Sequence, residues 1–257
     1  MTNSTVSLDD KYSIESGRIF VTGVQALARI PMVQRQRDVL EGLNTAGFIS
    51  GYRGSPVGGF DQQLWRAKKF LEQNHIRFQP GLNEDLAASA IWGSQQTNLH
   101  EGGKYDGVFA IWYGKGPGVD RCGDVFKHGN MSGPAKHGGV LLIAGDDHAA
   151  KSSTVPHQSE YAFMDASIPV LNPAGLQDIV DYGILGFAMS RFSGCWVAFK
   201  TTAENMDSSA SIDVSPDRVK ILLPKFDMPE GGLSIRWPDD WIEQEHRLHQ
   251  YLSLIHI

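Results

Sequence analysis

The stretch Ala46-Gly47-Phe48-Ile49-Ser50-Gly51, followed at once by Tyr52-Arg53-Gly54-Ser55-Pro56-Val57-Gly58-Gly59-Phe60-Asp61, constrains the fold more than any other part of the chain. Its first six residues are too few for a stable helix and suit a short buried strand. The glycines behind them make a turn that opens a helix. In an α/β domain such a junction lies at the carboxyl end of the sheet, where free backbone N–H groups and the positive end of a helix meet a ligand. Gly81-Leu82-Asn83-Glu84-Asp85-Leu86-Ala87-Ala88 repeats the arrangement, with a carboxylate where a helix begins.

The pattern recurs along the chain. Gly107 to Gly114 is rich in strand formers, with Phe109, Trp112 and Tyr113 as core residues, and Lys115-Gly116-Pro117-Gly118-Val119-Asp120 is expected as another glycine loop. Gly139 to Gly145 is a continuous apolar run that empties into Asp146-Asp147-His148, and Ile168 to Leu171 and Cys195 to Thr201 bracket helical spacing from Leu176 to Phe187. Arg18 to Gly23 is expected as a first strand. Val24 to Arg37 has helical spacing that Pro31 should break or kink, leaving a second helix toward Leu43. Leu64, Trp65, Lys68, Phe70 and Leu71 fit one further helix. Strands alternating with helices predict an α/β fold, a doubly wound and mostly parallel sheet with helices on both faces. The loops 53–59, 81–85, 114–120 and 145–153 then fall on one edge.

Three segments follow from this reading. Residues 1–17 are expected as a flexible lead-in and 18–207 as the α/β domain. Residues 208–257, with Pro216, Pro224, Pro229, Pro238 and Gly231-Gly232, are expected as a proline-rich linker and the start of a following, truncated segment. That segment resumes helical spacing at Trp241 and stops on Leu254-Ile255-His256-Ile257 without a capping signal.

The formal net charge of −6 leaves no basic footprint for nucleic acid or an anionic membrane surface. No leader-like or membrane-length apolar run occurs, so the expected location is the cytoplasm. Cys122 and Cys195 share no ligand spacing, which excludes a disulfide framework and a cysteine-bound zinc or iron-sulfur site built from this chain alone. His128, His137, His148 and His157 are scattered over loops, and no metal ligand is assigned; His246 and His249 are expected on the surface.

Glu84 has two readings. Locally it is a capping acid, worth under roughly 1 kcal/mol. In the company of four loops on one sheet edge it is a functional carboxylate. Asp146 and Asp147 likewise suit a cap on the following turn. Ser55 lacks the G-x-S-x-G elbow of a hydrolase nucleophile, and Gly51, Gly54, Gly58 and Gly59 do not meet the dinucleotide fingerprint.

Gly51-Tyr52-Arg53-Gly54-Ser55-Pro56, Asn83-Glu84, and Gly139 to Asp147 followed by Ser152-Ser153 resemble the N-terminal thiamine-pyrimidine domain of the indolepyruvate ferredoxin oxidoreductases. These belong to the 2-oxoacid:ferredoxin oxidoreductases, and the resemblance runs from about Arg18 to Asn205. It implies an enzyme that oxidatively decarboxylates a 2-oxo acid, an aryl pyruvate by the family's name, to an acyl-CoA with ferredoxin as electron acceptor. It implies that Asn83 and Glu84 meet the cofactor, Glu84 hydrogen-bonding a ring nitrogen of the aminopyrimidine, in a dry site that Ala87, Ala88 and Ala90 help provide. Lys115, Gly116 and Gly118 occupy the family's strand-end loop at the cofactor, by a looser match. Ser55 and Pro56 match a turn near the substrate carboxylate. Arg53 departs from the more usual proline, and is either a bidentate substrate contact or a solvated side chain.

The resemblance places thiamine diphosphate's magnesium and the iron-sulfur clusters on parts of the enzyme outside this chain. It therefore implies missing downstream domains or a partner subunit, and an oligomer, with the isolated chain inert. The small-residue helix after Glu84 is the expected partner surface. The competing reading is a non-catalytic nucleotide-binding or interaction module with the same fold.

Overall fold

A computed structural model describes residues 6–253; the uncapped end at 254–257 lies outside them. The elements in order are α1 (Asp10–Ser13), β1 (Arg18–Thr22), α2 (Gly23–Leu40), β2 (Ala46–Gly51), α3 (Phe60–Arg66), α4 (Lys68–Gln73), β3 (Ile76–Phe78) and α5 (Glu84–Gln95). There follow β4 (Val108–Lys115), α6 (Gly116–Arg121), α7 (Gly123–Ser132), β5 (Val140–Gly145), α8 (Glu160–Asp165) and β6 (Val170–Leu171). The last are α9 (Leu176–Ser193), β7 (Val197–Thr201), α10 (Ala203–Met206), β8 (Ser209–Asp213) and α11 (Trp241–Tyr251).

Six strands form one parallel sheet in the order β3-β2-β4-β5-β7-β6. The fold is the expected doubly wound α/β arrangement. Successive side chains of a strand point to opposite faces, and the central strands serve two cores in turn. Phe109, Ile111 and Tyr113 of β4, with Leu141 and Ile143 of β5, join residues of α2, α3 and α9 on the first face. Ala110 and Trp112, with Val140, Leu142 and Ala144, join residues of α5, α6, α7 and α8 on the second. Strands buried on both sides need continuous apolar runs, which is what their sequences supply.

Four local expectations are corrected. β1 is not a member of the parallel sheet; it pairs antiparallel with β8, from Arg18↔Asp213 to Thr22↔Ser209. This ribbon draws the first residues past 207 onto the domain, with Ile19, Val21 and Ile212 buried in the first core. Pro31 does not end its helix: α2 runs unbroken. A proline there costs on the order of 3 kcal/mol, but α2 is buried from Ala26 to Arg35, and packing on all sides outweighs one lost backbone bond. The expected single helix around Leu64 to Leu71 is two, α3 and α4, parted at Ala67. Finally, Gly116 to Arg121 is the helix α6 rather than a loop, begun by a proline whose fixed φ suits a first turn.

Part of the stretch 6–17, expected as a flexible lead-in, is docked, at Tyr12 to Ile14. Tyr12 is buried and its hydroxyl donates to Gln63 Oε1 at 2.8 Å, while the buried Arg29 guanidinium donates to the carbonyls of Tyr12 (2.6 Å) and Ile14 (2.9 Å). Residues between Val214 and Asp240 carry no helix or strand, in keeping with their prolines.

Candidate functional site

All six parallel strands point their carboxyl ends to one edge, and the chain's path along that edge opens a crevice. β2 leaves toward α3 on the first face and β4 leaves toward α6 on the second, so their exits diverge between neighbouring strands. This is the topological switch point where open α/β sheets bind ligands. The segment after β3 returns over it, with the Gly81 N–H donating to the Gly51 carbonyl at 2.9 Å, and starts α5 above β2 and β4.

Glu84 is the first residue of α5 and stands at the crevice with its side chain 14% exposed. Four neighbours define it. Asn83 is the N-cap, its Oδ1 accepting from the Leu86 N–H at 2.8 Å. Trp112 Nε1 donates to the Glu84 carbonyl at 3.0 Å. Gly118 of α6 lies beneath the side chain: a Cβ there would stand 2.5 Å from Glu84 Cγ and 2.9 Å from Oε1. Arg121, 61% exposed, brings Nη1 to 3.5 Å from Oε2. Ala87 and Ala88 are buried and Ala90 is exposed, so the dry floor is built by the first two and by Trp112. Cys122 is also buried, and burial first, then the charges of Asp85 and Glu84, push its thiol far above its ordinary range. It is no nucleophile at neutral pH.

Asn83 thus spends its side-chain oxygen on the helix, a structural use that the expected cofactor contact must share with its remaining N–H groups. Lys115 Nζ donates to the Ser152 carbonyl (2.6 Å) and hydroxyl (3.0 Å) and lies 3.9 Å from Asp147 Oδ2. Asp147 in turn accepts from the N–H groups of Ser152 (2.8 Å) and Lys151 (2.9 Å) and from the hydroxyls of Ser152 and Ser153. These bonds, the Ser152 N–H foremost, hold its carboxyl down to about 2. The buried Asp146 takes the Ser159 N–H at 2.9 Å and hydroxyl at 2.5 Å, with Lys200 at 3.7 Å. Both acids therefore cap and tie the segment 147–158, the blander of the two sequence readings.

Gly116 carries that segment's other anchor. The His157 ring lies on it, so that a Cβ would stand 2.1 Å from Nδ1, and His157 Nε2 meets Asp120 Oδ2 at 2.9 Å. Arg53 and Ser55 are exposed on the turn after β2, whose Ser55–Pro56 peptide is cis. A Cβ on Gly54 would meet Lys115 Cβ at 2.8 Å, and a Cβ on Gly145 would meet the Pro56 ring at 3.0 Å. The turn therefore reaches across the end of β4 to β5. Arg53, Ser55 and Pro56 are linked to Glu84 through Lys115, Gly116 and Gly118 rather than by direct contact.

Trp112, Arg121 and His157 are contributors that sequence reasoning left out of the site. Trp112 was legible as core, and it is core; its second duty depends on α5 crossing above it. No group of three or more His, Cys, Asp or Glu side chains among the described residues is placed to hold a metal ion.

Neither a protein-family model nor a curated protein matches the sequence. The fold does match a solved structure, the 2-oxoglutarate:ferredoxin oxidoreductase from Magnetococcus marinus with 2-oxoglutarate, coenzyme A and succinyl-CoA bound. The similarity covers 80% of this chain with a TM-score of 0.59 and 16% identity, and it is a likeness of fold. The chain spans about a third of that protein's length, 33%.

Proposed function

We propose that this chain is the aminopyrimidine-binding part of a thiamine-diphosphate-dependent 2-oxoacid:ferredoxin oxidoreductase of the indolepyruvate type, acting on an aryl pyruvate. The observation that carries this reading is the position of Glu84, a nearly buried carboxylate at the first turn of α5 over the β2/β4 crevice. The likeness of fold to a 2-oxoglutarate enzyme and the motif resemblance support it independently.

The residues present fit an aminopyrimidine. A single carboxylate is offered at the crevice over a floor of Trp112, Ala87, Ala88 and the bare backbone of Gly118, so a hydrogen bond from Glu84 to a ring nitrogen would form largely away from water. When bound, thiamine diphosphate supplies the electron sink for decarboxylation. Glu84 holds or gives the proton at its carboxyl oxygens. Arg53 and Ser55, exposed on the neighbouring turn, are free to orient the substrate carboxylate. Lys115, expected at the cofactor, also pins the segment 147–158 through its bonds to Ser152.

Magnesium, the iron-sulfur clusters, the coenzyme A and ferredoxin sites belong, on this reading, to other parts of the enzyme, in an oligomer. Residues 18–207 form its pyrimidine domain together with β8, which pairs with β1. No helix among the described residues is long and apolar enough to cross a membrane, and we place the enzyme in the cytoplasm. The test is Glu84→Gln in the complete holoenzyme, which keeps volume and removes only the acid. Exchange of the cofactor's C2 proton, followed by NMR, should be abolished; exchange at the wild-type rate would remove Glu84 from the role.

A further inference from the structure

We infer, resting on that reading of Glu84, that Trp112 and Gly118 are positioning residues that together set where the Glu84 carboxylate points. A first-turn glutamate has several staggered rotamers and a loosely held backbone, because the first N–H groups of a helix lack partners within it. Here both freedoms are removed from below. The indole of Trp112 is fully buried, packs edge-on against Phe126 at 5.0 Å between ring centroids, and lies against Gly114, where a Cβ would stand 2.5 Å from Cη2. The ring has no room to turn, so its N–H fixes the Glu84 carbonyl, at 3.0 Å, to the end of β4.

Gly118 sets the side chain. With Glu84 Cγ 2.5 Å from the place of a Cβ, the glutamate lies flat on the backbone of α6, and any side chain at 118 must lift it. Arg121 does not substitute for this constraint. Its contact is 3.5 Å long and its side chain 61% exposed, which makes the pair a screened and weak one. The glycine that the motif resemblance assigns to the cofactor thus acts through Glu84.

Two preparations and three variants separate this inference from the reading beneath it. In the complete holoenzyme, Gly118→Ala should slow exchange of the cofactor's C2 proton on the order of 100-fold, the effect of a displacement near 1 Å at a reacting group. Trp112→Phe, which removes that hydrogen bond and leaves a small cavity in the second core, should slow it about 2- to 12-fold. In both, cofactor affinity should change far less than the exchange rate, and Trp112→Phe should also lower Tm through the cavity it leaves. In the cofactor-free chain, a crystal structure of Gly118→Ala should show the Glu84 carboxylate displaced, and the Trp112 indole N–H should be protected from hydrogen exchange.

If Glu84→Gln abolishes C2 exchange while both other variants exchange at the wild-type rate, the positioning roles are overturned and Glu84 stands. A carboxylate unmoved in the Gly118→Ala crystal structure overturns the role of Gly118 without reference to activity. Wild-type exchange in Glu84→Gln overturns the underlying reading and the inference with it. Should Gly118→Ala fail to fold, Trp112→Phe decides for Trp112 and a crystal structure of the wild-type protein decides for Gly118: a Glu84 side chain in one rotamer against α6 supports its role, and several rotamers overturn it.

Discussion

Alanine at position 116 is the perturbation whose consequence can be worked most fully from distances. An alanine Cβ there lies 2.1 Å from His157 Nδ1 and 2.4 Å from Cγ, far inside contact, so the imidazole must leave. Its departure breaks the 2.9 Å bond to Asp120, whose side chain is 61% exposed, a loss on the order of 0.2–1 kcal/mol. Unseating a packed ring that is 11% exposed adds about 1–3 kcal/mol. Against this, exchanging glycine for alanine in a helix favours folding by up to about 1 kcal/mol. The net expectation is a loss of roughly 1–3 kcal/mol.

The decisive measurement is a double-mutant cycle with His157→Gly, by urea unfolding with linear extrapolation. The ring and its Cβ, which would stand 2.9 Å from the new methyl group, are then both absent, so Gly116→Ala should be neutral or slightly stabilising in that background. The coupling should therefore be about 1–3 kcal/mol. Additive effects, within roughly 0.5 kcal/mol, would refute the claim that Gly116 is kept bare for His157.

Two further outcomes are expected. Ser55→Ala in the complete enzyme should raise KM for the 2-oxo acid with little change in cofactor affinity, by about 0.5–1.5 kcal/mol or up to about 3 if the hydroxyl meets a charged carboxylate; an unchanged KM takes Ser55 out of the site. Acid should loosen the segment 147–158 selectively: the Asp147 carboxyl is depressed from 3.8 to about 2, so its contribution is present above the higher value and lost as pH falls toward the lower. Amide protection at Lys151 and Ser152 should decline across that window, and undiminished protection at pH 2 would contradict the assignment.

The parallel strands were legible because a strand buried on both faces leaves a local mark, an unbroken apolar run closed by glycine, as at Val140–Gly145. Their shared polarity then placed Arg53, Glu84, Lys115 and Asp147 on one edge without any coordinates. What escaped was decided by tertiary contact. Pro31 carries a strong local signal, and only the layers packed around α2 overrule it. Lys115-Gly116-Pro117-Gly118 has the composition of a loop, yet its two glycines are there because His157 and Glu84 lie on them. The sequence of β1 resembles that of any inner strand, and nothing local says that its partner is β8. Lys115 shows the same within the site: its amine donates to Ser152, 37 positions on, a contact that no local signal announces.

The ribbon of β1 and β8 also bears on how the chain is made. Its first strand leaves the ribosome ahead of its partner, since the residues that pair with it follow about 190 positions later, which at ordinary synthesis rates is a delay of roughly 10 to 40 s. Through that interval the inner side of β1, Ile19 and Val21, can rest on the growing first core, but its ladder bonds stay open and Phe20, 71% exposed even in the finished fold, faces outward. The nascent chain thus carries an unpaired edge with an aromatic on it until Asp213 has emerged, and that edge is the natural point of contact for a holding chaperone or for another nascent copy.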